Sequence, residues 1–258
     1  MPHSLSHWLK RGVAAAGLAL AFSATSLPAN ALDDAEKKQV EEIIRNYILE
    51  NPEILLEAQQ ALEAKRVAAQ KEKARKALTE RADVIYASTN QFDLGNKNGD
   101  VTIVEFFDYN CGFCQRAMND MNRLLDGDKN LRFVLKELPI LSEASVEAHR
   151  VSTAVGRVAP KKYAEYHQRL LSAPGRKDGA RALQIAVEMG IDTQKVAALA
   201  QDESVTDAFR EVNQLATELG MTGTPSYVIG DEVVFGALGY DVLKAKIDNV
   251  RKCGKATC

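Results

Sequence analysis

The stretch VEFFDYNCGFCQRAM, Val104 to Met118, joins an apolar run to two cysteines three positions apart, with helical spacing beyond them. VTIVEFF, Val101 to Phe107, is β-branched and aromatic and reads as a strand, and Gly112 to about Leu125 suits a helix. Two thiols therefore stand where a strand turns into a helix. Cys111 falls at the N-terminal edge of that helix, where unpaired backbone N–H groups and the helix dipole favour an anion. Such a position lowers a thiol pKa from about 8.5 to roughly 3.5–7. Cys114, one turn later, faces the same side and is close enough to close a disulfide.

A C-x-x-C pair serves either metal ligation or redox exchange. The other two cysteines, Cys253 and Cys258, have four residues between them and lie in the C-terminal tail, and no zinc-ribbon hairpin surrounds either pair. Redox exchange is the better supported reading, with Cys111 as the sulfur that meets substrate and Cys114 as the one that resolves the mixed disulfide. Thiolate is the nucleophile in this chemistry. Glu105, six residues before Cys111 among Val104, Phe106 and Phe107, would be costly to bury unpaired, and burial would raise its pKa. A raised pKa suits a proton acceptor for Cys114. The other option is that Glu105 reaches water or Lys136 on a neighbouring strand.

The ends of the chain bear on compartment. MPHSLSHWLKRGVAAAGLALAFSATSLPANA has a basic start at Lys10 and Arg11, an uncharged run to about Leu27, and small residues at Ala29 and Ala31. These are the regions of a cleavable signal peptide over 1–31. The run is short for a spanning helix, which needs roughly 20 apolar residues. An exported chain meets an oxidising compartment, where four cysteines can pair fully, most simply Cys111 with Cys114 and Cys253 with Cys258. The second pair closes a loop worth only roughly 2 kcal/mol and reads as a structural clip, with a labile relay or metal ligation as alternatives. A formal net charge of −2 argues against a nucleic-acid partner.

Residues 32–62 read as a helical hairpin. Val40, Ile43, Ile44, Tyr47 and Ile48 make one apolar face, and Ile54, Leu55, Ala58 and Leu62 another. Asn51 is placed to cap the second helix, with Pro52 at its first position. The hairpin must bury its stripe against the main domain or against other copies, and a charged helical linker over 63–91 favours self-association. From 92 to 258 the order is strand, helix, strand, a helical stretch over about 140–219, two strands and a helix, an α/β sheet with helices on both faces. GNKNGD, Gly95 to Asp100, reads as a turn. Pro225 heads a strand, where it need not donate to a ladder. A cis Thr224–Pro225 bond would offer the Thr224 backbone to an extended substrate, although only about 5% of X–Pro bonds are cis. His149 and His167 have no partner at ligand spacing and read as surface residues. Met118 and Met121 read as core.

FFDYNCGFC, Phe106 to Cys114, with GTPSYVIG, Gly223 to Gly230, resembles the DsbA-like thiol–disulfide oxidoreductases of the thioredoxin superfamily, over about Phe92 to Lys252. The resemblance implies a thioredoxin fold with a helical insertion, preceded here by an N-terminal α-helical oligomerisation segment. By position it makes Cys111 the nucleophile, Cys114 the resolving thiol, Glu105 the buried acid and Thr224–Pro225 a cis-proline pair that binds substrate. Asn110 stands where thioredoxins have Trp. Gly112-Phe113 is unlike the Pro-His of the oxidant DsbA and resembles the Gly-Tyr of the isomerase DsbC. The N-terminal helices resemble those of the suppressor-of-copper-sensitivity C-type proteins. The expected activity is a periplasmic thiol:disulfide oxidoreductase that forms or isomerises disulfides in exported proteins, isomerisation being favoured in an oligomer because clustered sites raise effective concentration. A membrane redox partner would reset the dithiol, and no cofactor or resident metal is implied. The alternative is a copper- or zinc-binding protein that uses the same dithiol.

Overall fold

The computed structural model describes residues 33–258, so the expected leader over 1–31 lies outside the described residues. The chain divides into two compact units, Met1–Gln59 and Gln60–Cys258. In the first, Asp33 caps helix α1 (Asp34–Glu50) by accepting from Ala35 N and Glu36 N, and Glu36 returns the bond to Asp33 N. No residue of α1 is buried, and Ile43, Ile44 and Tyr47 are each more than half exposed. Asn51 ends this helix rather than starting the next. Its backbone N and its Nδ2 both donate to Tyr47 O, and α2 (Glu53–Glu80) begins beyond Pro52. The side-chain amide thus adds a second donor to a carbonyl in the last turn of the helix.

The second unit is built on a five-stranded sheet of order β1-β3-β2-β4-β5. Its strands are β1 (Phe92–Gly95), β2 (Val101–Phe107), β3 (Leu131–Glu137), β4 (Ser226–Ile229) and β5 (Glu232–Phe235). Only β2 and β3 run parallel, joined by α4 (Gly112–Gly127), and the other pairs are antiparallel. Six of the seven residues of β2 are buried, so the strand is covered on both faces. Ile103 and Phe107 join Phe133, Leu135, Tyr227 and Ile229 on one side, and Val104 and Phe106 join Val134 and Val228 on the other. Between β3 and β4 come α5 (Glu143–Val158), a 3-10 turn, α6 (Tyr163–Ser172), α7 (Gly179–Glu188), α8 (Thr193–Ala200) and α9 (Glu203–Glu218), filling the expected insert. Helix α10 (Tyr240–Cys253) closes the chain.

Three readings of the sequence change here. The strand β1 went unrecognised because it is only four residues long beside a turn. It packs its Phe92 ring over Gly156 of α5, where any Cβ would overlap the ring. The segment 63–91, read as a solvated linker, carries buried groups at its end: Ala77 of α2 and Ile85 of α3 (Ala82–Ala87) join the second core. Arg81 pairs with Glu218 at 2.6 Å, Gln70 Nε2 donates to Gly220 O, and buried Lys136 donates to Val84 O at 2.6 Å. Its Ala, Lys and Glu composition concealed a few apolar contacts supported by polar ones. His149 and His167 are buried, not surface residues, because both are enclosed by the helical insert. Met118 and Met121 are core.

Candidate active site

Backbone chemistry sets the position of Cys111. The chain leaves β2 through Asp108-Tyr109-Asn110, and Cys111 N donates to Asp108 O at 3.0 Å, closing a turn that makes Cys111 the N-cap of α4. Its sulfur accepts from Cys114 N at 3.4 Å, as an N-cap side chain does. Both thiols are free, Cys114 fully buried and Cys111 6% exposed. Hydrogen bonding from Cys114, above all, holds Cys111 down at about 5 against the opposing effect of burial. The Thr224 side chain adds to the effect. Burial pushes Cys114 far above the usual thiol range, and its bond to Cys111 and the charge of Glu105 push the same way. One sulfur is an anion at neutral pH and the other keeps its proton.

The Thr224–Pro225 bond is cis, and Thr224 O lies 3.1 Å from Cys111 Sγ, where it can accept from the sulfur only while Cys111 is protonated. Glu105 is 3% exposed and lies directly opposite Tyr227 of β4. Burial raises its carboxyl to about 8, the Cys111 charge adds to this, and a hydrogen bond with Tyr227 works against it. Lys136 is not its partner. It lies opposite Phe106 in the register, so its side chain projects to the other face of the sheet. Cys253 and Cys258 are joined by a disulfide, and the tail between them is held by Ala256 N donating to Asp231 Oδ1. Arg251 on the same helix pairs with Asp100, before β2, and with Asp128, after α4. That disulfide thus sits at the end of the sheet opposite Cys111.

The residues that brace the turn before Cys111 were not singled out as functional. Asp108, wholly buried, accepts from Asn110 N on one oxygen and from Ile140 N and Leu141 N on the other. Tyr109 N donates to His149 Nε2 at 3.1 Å, and its hydroxyl meets Ser152 Oγ and His167 Nδ1. Burial, with His149 alongside, lowers His167 to about 3 and keeps it neutral. Glu137 lies beneath, accepting from Ser152, Thr153 and Tyr163. The signal in the sequence was the run Asp-Tyr-Asn itself, turn formers between a strand and a helix. Asp108→Ala strands three backbone N–H groups and should cost about 3 kcal/mol in urea unfolding. A change below about 0.5 kcal/mol would show that this brace does not hold the loop.

Residues 102–248 match the family model described as the DSBA-like thioredoxin domain, and residues 36–69 match the copper resistance protein ScsC N-terminal domain. A thioredoxin-like oxidoreductase from Silicibacter pomeroyi DSS-3 is 38% identical, with 66% of this chain and 98% of that one covered at a TM-score of 0.63. Proteus mirabilis ScsC in a transitional conformation is 28% identical, with 85% and 96% covered and a TM-score of 0.62. The thiol-disulfide exchange protein alpha-DsbA2 from Wolbachia pipientis is 28% identical, with 70% and 98% covered and a TM-score of 0.65. Over 156 residues, 59% of its length, the chain is also 25% identical to Na(+)/H(+) antiporter NhaA 1 of Salinispora arenicola (strain CNS-205), and it spans 24% of that protein's length. Among the described residues no helix is long and apolar enough to cross a membrane. With the dithiol at a helix start, the cis-proline beside it and a family match over more than half its length, the chain belongs to the DsbA-like thioredoxin family of thiol–disulfide oxidoreductases and carries an ScsC-type N-terminal segment.

Proposed function

We propose that the protein is an exported, periplasmic oxidoreductase that shuffles or forms disulfides in exported polypeptides, with isomerisation its main task. The observation that carries this reading is Cys111, an N-capping sulfur that accepts from Cys114 N and lies beside the Thr224 backbone. In isomerisation the Cys111 thiolate attacks a substrate disulfide, forming a mixed disulfide and releasing a substrate thiolate. That thiolate, or another in the same substrate, then attacks the mixed bond and frees Cys111 with no net change in electrons. If no substrate thiol arrives, Cys114 passes its proton to Glu105 in its ionised form, which loss of the Cys111 charge in the mixed disulfide favours, and attacks. The Cys111–Cys114 disulfide forms, the substrate leaves reduced, and a membrane redox partner must reset the pair. Oxidation is the same path in reverse. Thr224–Pro225 offers substrate a backbone edge beside the sulfur.

The exposed apolar face of α1 supports self-association of the chains, which would set several dithiols around one misfolded substrate. The test compares the chain from residue 32 with one starting at residue 60. Removing 32–59 should lower particle mass to that of one chain by light scattering. It should also cut recovery of scrambled ribonuclease about tenfold or more while leaving oxidation of a dithiol peptide unchanged. Equal isomerisation by both forms would overturn the role of the N-terminal segment, and no exchange by either would overturn the enzyme reading.

A second reading, that the same thiols hold copper or zinc in metal tolerance, draws on the match of 36–69 to the ScsC N-terminal domain. The Thr224 backbone beside Cys111 favours exchange, since a substrate-binding backbone has no use in a metal site. Tight Cu(I) binding without exchange activity would favour the metal.

A further inference from the structure

The dithiol is bracketed by one loop of the helical insert. Asn110, the residue before Cys111, accepts from Lys177 N on Oδ1 at 2.8 Å and donates from Nδ2 to Lys177 O at 2.7 Å, so its amide pairs with backbone as a neighbouring strand would. Nδ2 also reaches Ser145 Oγ of α5 at 3.2 Å. Gln115, the residue after Cys114, makes a long contact of 3.5 Å from Nε2 to Ser172 O at the other end of that loop. Ala173 and Lys177 are buried, and Pro174, Gly175 and Arg176 between them are exposed. Arg176 is a single Cα step, about 3.8 Å, from the residue that Asn110 holds. The loop is thus tied to the residues on either side of the dithiol, at Asn110 and at Gln115. The Arg176 side chain is 70% exposed, and among the described residues its nearest carboxylate is Asp178 at 3.8 Å, beyond hydrogen-bonding distance.

We propose that the Ser172–Lys177 loop, splinted to the dithiol by Asn110, is a specificity wall of the exchange site, and that Arg176 at its tip favours polypeptides with a carboxylate beside the reacting cysteine. The proposal rests on the exchange activity argued above. Each encounter breaks the substrate S–S bond, forms a bond between Cys111 and one substrate sulfur, and releases the other as thiolate. Arg176 and Asn110 take no part in that balance. They set which chain is held in place for it.

The experiment uses the reduced chain from residue 32 and measures first-turnover rates with three disulfides: a Glu-flanked peptide, a Lys-flanked peptide of otherwise equal sequence, and neutral hydroxyethyl disulfide. The unaltered protein should favour the Glu peptide by about fivefold, the range of one exposed charge pair, and 0.5 M salt should erase the preference. Arg176→Glu should reverse it and Arg176→Lys should keep it. Asn110→Ala should flatten it, read as the ratio of Glu-peptide to Lys-peptide rates so that a uniform loss of rate cancels. Arg66→Glu on α2, an equal change of net charge at another exposed site, should leave the ratio alone. An unchanged ratio in Arg176→Glu, or equal shifts in Arg176→Glu and Arg66→Glu, overturns the wall while normal hydroxyethyl disulfide rates preserve the exchange reading. No exchange with any of the three disulfides overturns both.

Discussion

Cys111→Ala is expected to abolish exchange, with disulfide reduction and isomerisation falling by about a thousandfold or more, since no other thiolate stands at the opening. Cys114→Ala should instead accumulate mixed disulfides with substrate, visible as heavier bands on non-reducing gels. The two outcomes differ because the thiols are held in opposite states, Cys111 at about 5 and Cys114 well above the ordinary range. Alkylation of the reduced protein by iodoacetamide should therefore show a midpoint near 5 for Cys111. A midpoint near that of a free thiol, about 8.5, would remove the basis of the mechanism. The same shift makes stability depend on pH and redox state. The folded pKa is depressed below the ordinary thiol value of 9.0, so the extra stability of the reduced form is present above that value and is lost as pH falls through about 5. The oxidised protein has no such titrating sulfur. The stability gap between the two forms should change across this window in favour of the reduced form as pH rises, which makes the disulfide the more oxidising partner.

Glu105→Gln separates two effects of one carboxyl. Its pKa is raised from 4.5 to about 8, so the neutral form is the one that the fold prefers. Stability from this group is present below pH 4.5 and is lost as pH rises through about 8. Gln keeps a hydrogen-bonding group opposite Tyr227 and removes the titration, so the oxidised variant should gain on the order of 1–3 kcal/mol at pH 7.5 and close to nothing at pH 4. Resolution of the mixed disulfide should slow about a hundredfold, because Cys114 loses its proton acceptor. A variant with unchanged resolution kinetics would leave Glu105 as a structural carboxyl only, whatever its effect on stability.

Much of the second unit was legible because it follows short-range rules. Strand β2, helix α4 and the position of Cys111 at their junction follow from a β-branched run followed by helical spacing. Burial of Glu105 followed from its apolar neighbours. The misread residues share one cause. His149 and His167 look unpartnered along the chain, yet the insert brings both to Tyr109, 40 and 58 residues away. The end of the segment 63–91 looked solvated because its partners, Lys136 and Glu218, are far along the sequence.

What the sequence by itself determined is the local chemistry: a thiol at the first turn of a helix, a second thiol one turn on, and a carboxyl in an apolar strand. Backbone geometry and neighbouring side chains suffice for that. Only the tertiary structure decided what surrounds the dithiol. Thr224 O reaches Cys111 across 113 residues, and Lys177 reaches Asn110 across 67. Contacts of this kind come from the packing of the insert and of β4 against the turn after β2, and no periodicity along the chain encodes them.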